Sequence, residues 1–376
     1  LDCVHNWSLK NMIKFNCEKS NIVHFRKKQS AISNFNFTLG NLSVKIVDKY
    51  KYLGIVMNEF LDYKISAKVL SDAANRALGA IINKYKSNNG LGYYTYTRLF
   101  NSGVCPILDY CSEIWGFKRF QDIDAVQNKA IRIFLGVHRF APLAAIRGDM
   151  GWTDSQIRRH MCMARFWNRI INMQPFRLPR IILNWDMTIN RNNWSTEFRD
   201  ILEQCGQLYA YSNMEKVNIY SIWSALHEKF CNNWKEEICN KPKLRTYKQF
   251  KSQYFAEPYV LSFMNRSQRS YISQLRCGIL PLEIETGRWQ SFSLENRICK
   301  LCNSNSVEDE FHFLFFCSAF QICRNKFVND VTEIFPDFQM SNVNFKLQLC
   351  FKKPIINIFC KYVNDLYKER QRSLFT

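Results

Sequence analysis

The stretch DIDAVQNKAIRIFLG, residues 122–136, carries the clearest helical pattern in the chain. Its apolar residues recur every three or four positions, at Ile123, Val126, Ala130, Ile131, Phe134 and Leu135. Asp122 and Asp124 stand in the first turn, where the helix dipole favours anions, and Gly136 is a residue type that ends helices. The stretch therefore predicts an amphipathic helix whose apolar face packs against other helices.

The segments on both sides extend this pattern into a mainly helical fold. Residues 59–136 predict a compact helical bundle, and residues 137–245 predict a basic helical connector. Residues 324–376 predict a helical tail, in which Pro354 suits the first turn of the last helix. The charged end of that helix, KERQR, is interpreted as solvated. Trp115, Trp152 and Trp167 are interpreted as core residues.

Residues 1–58 have the strand-like composition that the rest of the chain lacks. FNFTL alternates apolar and polar side chains, Gly40-Asn41 predicts a turn, and LSVKIV predicts the returning strand. DKYKYLGIVM predicts one further strand. The predicted fold class is mainly α with a small β hairpin or sheet near the N-terminus.

Composition indicates a polyanionic partner. Lys and Arg total 52 against 32 Asp and Glu, which gives a formal net charge of +20 spread along the chain. Such a charge favours nucleic acid, with a membrane surface as the weaker alternative. No run of eighteen apolar residues and no signal-peptide pattern occurs, so the sequence predicts an intracellular protein of the nucleus and/or cytoplasm.

Most of the fifteen cysteines are irregularly spaced and indicate reduced thiols, but one group is different. The stretch CKLCNSNSVEDEFHFLFFC, residues 299–317, has the spacing C-x2-C-x9-H-x4-C. Cys299, Cys302, His312 and Cys317 therefore predict a tetrahedral zinc site within a C-terminal region spanning residues 246–323. Four protein ligands leave no open position, which indicates a structural ion. Two alternatives remain: Cys323 replaces Cys317, or the cysteines are buried beside a core histidine.

The sequence contains no complete active site. It has no adjacent Asp-Asp pair, nucleophile elbow, Gly-rich phosphate loop or HExxH. Glu308, Asp309 and Glu310, inside the predicted metal loop, are interpreted as a solvated acidic turn. Arginines interleaved with aromatic residues instead predict nucleic-acid contacts, at Arg158, Arg159, Arg165, Arg288 and Arg297.

Several motifs give the chain a resemblance to a known family. WSLKNMIKFNCEKSNIVHF supplies Trp7, Asn16, Lys19, Ser20 and Phe25, and YKYLGIVM supplies Tyr52, Leu53 and Gly54. PILDYCSEIWGF, IDAVQNKAIRIFLGV, RGDMGWTDSQIRRH, KLRTYKQF, LPLEIETGRW and the Cys/His group follow. In this order they resemble the part of LINE-type non-LTR retrotransposon reverse transcriptases that follows the catalytic aspartates. The resemblance covers most of the chain.

The resemblance implies a C-terminal fragment of an RNA-directed DNA polymerase. Residues 1–58 would be the end of the palm, residues 59–136 a thumb-like bundle, and Leu53-Gly54 a primer-grip turn. Lys19 would be a possible general acid toward the leaving pyrophosphate. The chain begins with Leu1 in place of Met, which fits a fragment whose fingers and most of whose palm, with or without an endonuclease, precede it.

The same resemblance implies the partners and cofactors. The partners would be an RNA template and a DNA target or primer, with a structural CCHC zinc ion in the chain. Mg²⁺ would be held only by palm aspartates of the intact enzyme, so the fragment alone is predicted to be inactive. The alternative is a standalone zinc-stabilised DNA- or RNA-binding protein domesticated from such an element.

Overall fold

The mainly helical class predicted from the sequence is confirmed. A computed structural model describes residues 1–16, 18–189 and 192–375 of the chain. Helices dominate these residues, and the strands are short and lie before residue 59. The helices are α1 Asp2–Lys10, α2 Lys64–Ser87, α3 Tyr93–Gly103, α4 Cys105–Leu108, α5 Ser112–Trp115, α6 Gln121–Leu135, α7 Leu143–Met150, α8 Ser155–Ile171, α9 Leu178–Ile189, α10 Trp194–Gln204, α11 Leu208–Ser212, α12 Ile219–Asn240, α13 Tyr247–Phe250, α14 Pro258–Leu261, α15 Arg266–Arg276, α16 Glu283–Trp289, α17 Gln321–Thr332, α18 Val343–Cys350 and α19 Ile356–Phe375.

The N-terminal strands form two-stranded pairs. They are β1 Asn21–Ile22, β2 Thr38–Leu39, β3 Leu42–Ser43, β4 Lys45–Ile46, β5 Lys49–Tyr52 and β6 Ile55–Asn58. β1 pairs in parallel with β4, and β2 pairs with β3 in the predicted hairpin. Leu39 lies opposite Leu42, so Gly40-Asn41 forms the two-residue turn that the sequence predicts.

The segment DKYKYLGIVM is a second hairpin. The residue pattern predicted one strand here, which is wrong, whereas the resemblance implied a turn at Leu53-Gly54. Tyr52 of β5 lies opposite Ile55 of β6, with Leu53 and Gly54 as the turn between them. Both turn residues have positive φ, 46° for Leu53 and 90° for Gly54. Positive φ at both central positions defines a type I′ turn, whose twist matches the flanking strands. The alternation of apolar residues alone does not reveal such a turn.

α6 confirms the helix predicted over residues 122–135. Its apolar stripe is fully buried and packs against the buried face of α2. Gly136 follows at φ 69°, in the left-handed region that ends a helix. Asp124 does not interact with the helix dipole alone. It is buried and accepts hydrogen bonds from Arg119 and the Ser155 hydroxyl.

A first core extends from the bundle to the end of the chain. It includes apolar side chains of α2, α3 and α6, and then those of α15, α17 and α19. α15 packs against both α6 and α19, so the predicted C-terminal tail is part of the same core as the bundle. The buried apolar stripe of α19 consists of Ile356, Phe359, Cys360, Tyr362, Val363, Leu366 and Tyr367.

A second core lies inside the predicted connector. It is formed by side chains of α8, α9 and α10 and the first half of α12 around Trp167. Trp234, in the second half of α12, belongs to the first core instead. Trp115, Trp152 and Trp167 are 0%, 6% and 0% exposed, which confirms that they are core residues. Among the described residues, every helix is too short or too polar to cross a membrane.

Candidate metal centre

Four side chains of the C-terminal region converge on one point. The ligand atoms of Cys299, Cys302, His312 and Cys317 all lie within 4.8 Å of one another. The Cys299 and Cys317 sulfurs are 3.9 Å apart, and the Cys302 sulfur is 3.4 Å from His312 Nε2. A tetrahedron with Zn–S of about 2.3 Å and Zn–N of about 2.0–2.1 Å has S···S and S···N edges of about 3.8 Å and about 3.5 Å. The group therefore has the size and the donor atoms to hold a metal ion.

A short knuckle brings the first two cysteines together. Ile298 and Val307 form an antiparallel bridge, and the Cys299 amide donates to the Ser306 carbonyl at 2.9 Å. The chain reverses between them with Asn305 at φ 49°, a left-handed conformation that asparagine tolerates better than most residues. Both thiols of the C-x2-C pair therefore point to the same side of the knuckle.

A π-helical turn supplies the other two ligands. His312–Phe316 is π-helical, and the Cys317 amide donates to the His312 carbonyl at 2.8 Å. This i→i+5 hydrogen bond brings residues five apart onto the same side, which an ordinary α-helical turn does not do. The rarer π form therefore lets both ligands of the H-x4-C spacing reach the group.

The protonation states follow from burial and local hydrogen bonds. Burial raises the pKa of Cys299 and raises the pKa of Cys317 to about 12. Burial also acts to raise the pKa of the half-buried Cys302, but hydrogen bonds from the Ser304 hydroxyl and amide outweigh it and lower that pKa. Burial lowers the pKa of His312, which keeps its imidazole in the neutral form that metals bind.

The acidic residues beside the group are buried and paired, so the interpretation of a solvated acidic turn is wrong. Glu308 is 1% exposed and accepts two hydrogen bonds from Arg370, at 2.8 and 2.7 Å. Glu310 is 3% exposed and accepts from Arg245 at 2.8 Å. Arg370 belongs to the KERQR segment, which is therefore not entirely solvated. These pairs fasten the metal loop to α19 and to the start of α13.

Arg324 is a buried cation beside the same group. It is 9% exposed and donates to the carbonyls of Cys317 and Leu314 and to Gln321 Oε1. None of the ion pairs among the described residues includes it. A buried guanidinium without a nearby anion is costly. Three thiolates, one neutral imidazole and a divalent ion carry a net charge of −1, so Arg324 fits a metal-loaded centre.

Cys323 lies outside the group. It lines a small surface cavity with Phe327, Tyr362 and Asp365, and its sulfur is not among the ligand atoms that converge. Cys317, in contrast, is 0% exposed and lies within the group. Of the two candidates for the fourth ligand, the structure therefore favours Cys317.

The structure contradicts the predicted nucleic-acid contact at Arg159 and gives Arg297 protein partners. Arg159 is 0% exposed, lies over the Trp115 ring at 5.8 Å and donates to Gln156, so it cannot reach a phosphate. Arg297 donates to the carbonyls of Phe292 and Ile284 at 2.9 and 3.0 Å, which commits its guanidinium to loop structure.

Arg158 also has protein partners. Its Nε donates to Asp109 at 2.8 Å, and its Nη1 donates to Gln127 Oε1 at 2.8 Å. Arg165 and Arg288 are exposed. Arg288 pairs with Glu285 at 3.1 Å, and the ion pairs among the described residues do not involve Arg165.

The N-terminal candidates lie on exposed loops. Lys19 is exposed, and its backbone carbonyl accepts a hydrogen bond from the Tyr50 hydroxyl at 2.9 Å. Leu53 is 73% exposed at the tip of the β5–β6 hairpin. The Tyr110 hydroxyl donates to the Leu53 carbonyl at 2.9 Å, and a Cβ at Gly54 would lie 3.0 Å from the Tyr110 ring. Tyr110 therefore ties the hairpin to the helical bundle.

A group of basic side chains around the end of α6 is a candidate site that the motifs of the sequence do not indicate. Arg132, His138 and Arg147 lie near one another there, together with Lys243 of the 3₁₀ turn Pro242–Leu244. The clustering of Arg and His immediately before and after Gly136 is the one signal in the sequence. Lys243 is more than a hundred positions away, so the sequence gives no indication that it joins this group.

The comparisons with known proteins give no family for this chain. Neither a protein-family model, nor a curated protein, nor a solved structure matches it. The function must therefore be argued from the geometry and charge of the chain itself.

Proposed function

We propose that the chain is the C-terminal, nucleic-acid-binding part of a non-LTR retrotransposon reverse transcriptase, with a structural zinc ion in its C-terminal region. The motif resemblance supports the family, and the residue placement supports the binding role. The chain would contribute binding and gripping of template and primer, and the aspartates that hold Mg²⁺ would lie in the palm. By itself the chain would not polymerise DNA.

The observation that carries the binding role is the distribution of charge between interior and surface. The described residues include eight buried carboxylates, namely Asp124, Asp149, Asp154, Glu257, Glu283, Glu285, Glu308 and Glu310. They include six buried cations, namely Arg159, Lys251, Arg269, Arg276, Arg324 and Arg370. The interior is therefore slightly negative, and the rest of the chain carries more than its total of +20. Such a surface attracts polyanions from a distance and binds them by releasing counterions.

The donor set supports zinc as the metal. Three thiolates and one imidazole are soft ligands, and a tetrahedral S₃N arrangement is typical of structural zinc. All four positions would be filled by protein, so no site for water or substrate would remain. The ion would stabilise the loop that carries Glu308 and Glu310 and, through it, the docking of α19.

A standalone domesticated nucleic-acid-binding protein is the second candidate. The continuity of the first core favours it, since Ile55 and Tyr367 belong to one cluster. A transcript that continues upstream into a Tyr-x-Asp-Asp strand pair supports the polymerase. A start codon immediately before Leu1 supports the standalone protein. The polymerase would act in the nucleus, at a chromosomal target, after synthesis in the cytoplasm.

The binding role is tested by the salt dependence of affinity. Fluorescence anisotropy with a labelled RNA–DNA duplex should show binding at low salt whose affinity falls steeply as salt rises. Negligible binding at low salt removes the proposed function.

The zinc site is tested by metal analysis of the purified protein. Wild type should carry about one zinc ion per chain, and Cys302→Ser should lose it. Cys323→Ser is the matched control, because it removes a nearby thiol outside the group, and it should retain the ion. A wild type without zinc, or loss of zinc in the control alone, contradicts the proposed site.

A further inference from the structure

Arg132 is a cation without a counter-ion at the end of α6. It stands in the last turn of the helix and is half-buried. Its Nε atom is buried and has no hydrogen-bond partner, and no ion pair of the described residues includes it. The guanidinium charge of Arg132 is therefore not balanced by a carboxylate of the described residues.

A second arginine lies beside it. Arg147 Nε donates to Asn128 Oδ1 at 2.9 Å, and Asn128 precedes Arg132 by one helical turn, so the two guanidinium groups share one face of α6. Arg147 approaches Asp154 only to 4.0 Å, and Asp154 already pairs with Arg119 at 2.8 Å. Burial lowers the pKa of Arg132, and repulsion from Arg147 lowers it further. Neither arginine is therefore fully neutralised.

Basic side chains continue across the loop that follows α6. His138 is exposed, and its Nδ1 accepts the Phe140 amide at 3.1 Å. Burial lowers the pKa of His138, with further repulsion from Lys243 and Arg132. Arg139 is exposed and lies over the Phe140 ring at 4.7 Å, and Phe140 is itself 69% exposed. An arginine stacked on an exposed ring is a surface that suits both a phosphate and a base.

Lys243 links this loop to the zinc-bearing region. It lies 3.3 Å from Glu285, which also has Arg245 at 3.6 Å and Arg288 at 3.1 Å. One buried carboxylate is thus shared by three cations, although Arg245 has Glu310 as a second partner. The positive charge therefore continues from α6 to α16 without enough carboxylates to balance it.

We propose that these residues form one binding surface, the basic strip, which holds the sugar-phosphate backbone of nucleic acid. The basic strip consists of Arg132, His138, Arg139, Arg147, Lys243 and Arg288. The inference rests on the proposed nucleic-acid binding and deepens it by naming the face that is used. Its arginines and Lys243 contact phosphate oxygens and position the duplex without reading sequence.

The test compares salt slopes for two triple variants of the full chain. The strip variant carries Arg132→Gln, Arg139→Gln and Lys243→Gln. The control variant carries Lys326→Gln, Lys361→Gln and Lys368→Gln, which removes the same charge from exposed positions on α17 and α19. Affinity for a B-form DNA duplex is measured by anisotropy across a range of chloride concentrations.

Each lost phosphate contact lowers the slope of log affinity against log salt by about 0.9, so the strip variant should lose roughly 2 to 3. The control variant should keep the wild-type slope. Equal losses in both variants mean that binding is diffuse, and they overturn the basic strip while the proposed function stands. If wild type binds neither this duplex nor the RNA–DNA duplex at low salt, the proposed function itself fails.

A replacement variant and a phosphate competition complete the test. If the circular dichroism of the strip variant shows unfolding, Arg139→Gln with Arg288→Gln, both exposed, replaces it with an expected loss of about 1.8 in slope. Inorganic phosphate at matched ionic strength should displace the duplex no better than chloride does. Stronger displacement that the strip variant abolishes assigns the basic strip to free phosphate and overturns the backbone contact.

Discussion

Among the carboxylates beside the first core, Asp149 should be the one whose substitution lowers the stability of the fold most. It is 0% exposed at the end of α7 and accepts two hydrogen bonds from Arg276, both at 2.8 Å. The hydroxyls of Tyr259 and Tyr247 donate to it at 2.7 and 2.9 Å. Asp149→Asn replaces one acceptor oxygen with an amide group that donates. Whichever oxygen is replaced, a donor then faces a donor of Arg276.

The cost is set by the cation that the substitution leaves behind. The Arg276 side chain is 0% exposed and lies over the rings of Phe250 and Phe351 at 4.4 and 4.6 Å, so it cannot turn toward water. Breaking one side of a buried ion pair typically costs about 3–5 kcal/mol. Arg276 keeps Glu257 at 2.9 Å, which places the expected loss near the lower limit, about 3 kcal/mol.

Equilibrium unfolding in urea, followed by circular dichroism, measures this loss as a shift of the midpoint at unchanged slope. Asp72→Asn is the matched control. Its partner Lys68 is 3.3 Å away on the surface of α2, with both side chains at least half exposed. Such a pair contributes about 0.3–0.5 kcal/mol. A loss in Asp149→Asn no larger than that in Asp72→Asn would refute the reasoning.

Three other outcomes follow from single positions. Gly151→Ala should destabilise the fold by more than about 2 kcal/mol in urea titration, because φ is +64° and the added Cβ would lie 2.3 Å from the Ala256 amide nitrogen; a smaller loss contradicts that contact. Burial lowers the pKa of His160 from 6.5 to about 4, so the unfolded chain binds more protons between these values. Wild type should therefore lose up to about 3 kcal/mol as pH falls through that window, and His160→Gln should remove this part of the pH dependence. Arg324→Met should weaken zinc binding about 10- to 100-fold in chelator competition, and unchanged affinity argues against a charge partnership with the metal centre.

Local patterns predicted the helices well because the information lies within a few residues. The apolar stripe of α6 and the glycine that follows it are enough to predict this helix and its end. The local pattern gave a wrong prediction for Arg159, which was expected to contact nucleic acid, because α8 is buried on two faces. Ile157 and Met161 face the second core, while Arg159 faces Trp115 of α5. Helical periodicity predicts one buried face of α8, and the opposite face was therefore predicted to contact solvent and nucleic acid.

The metal group was predictable in its ligands but not in its surroundings. Spacing alone selected the three cysteines and the histidine, since a knuckle and a following turn are local structures. The environment of Glu308 depends on Arg370, which is 62 positions away. An acidic run in a sequence gives no indication of such a partner, and an isolated run of this kind is normally solvated. Long-range ion pairs of this type were therefore outside the reach of the sequence.

The burial of Arg324 indicates that the fold is more stable with a metal ion in the group than without one. Without an ion, the raised pKa values of Cys299 and Cys317 keep these thiols neutral near pH 7, and Arg324 remains a buried cation among carbonyl groups alone. With a divalent ion and three thiolates, the centre carries a charge of −1, and Arg324 is the adjacent cation that balances it. A buried charge is tolerated when it is paired and hydrogen-bonded, and it is costly otherwise. Metal binding and the burial of Arg324 therefore stabilise each other, so removal of the ion should loosen the contacts of Arg324 with the Leu314 and Cys317 carbonyls as well as the metal loop.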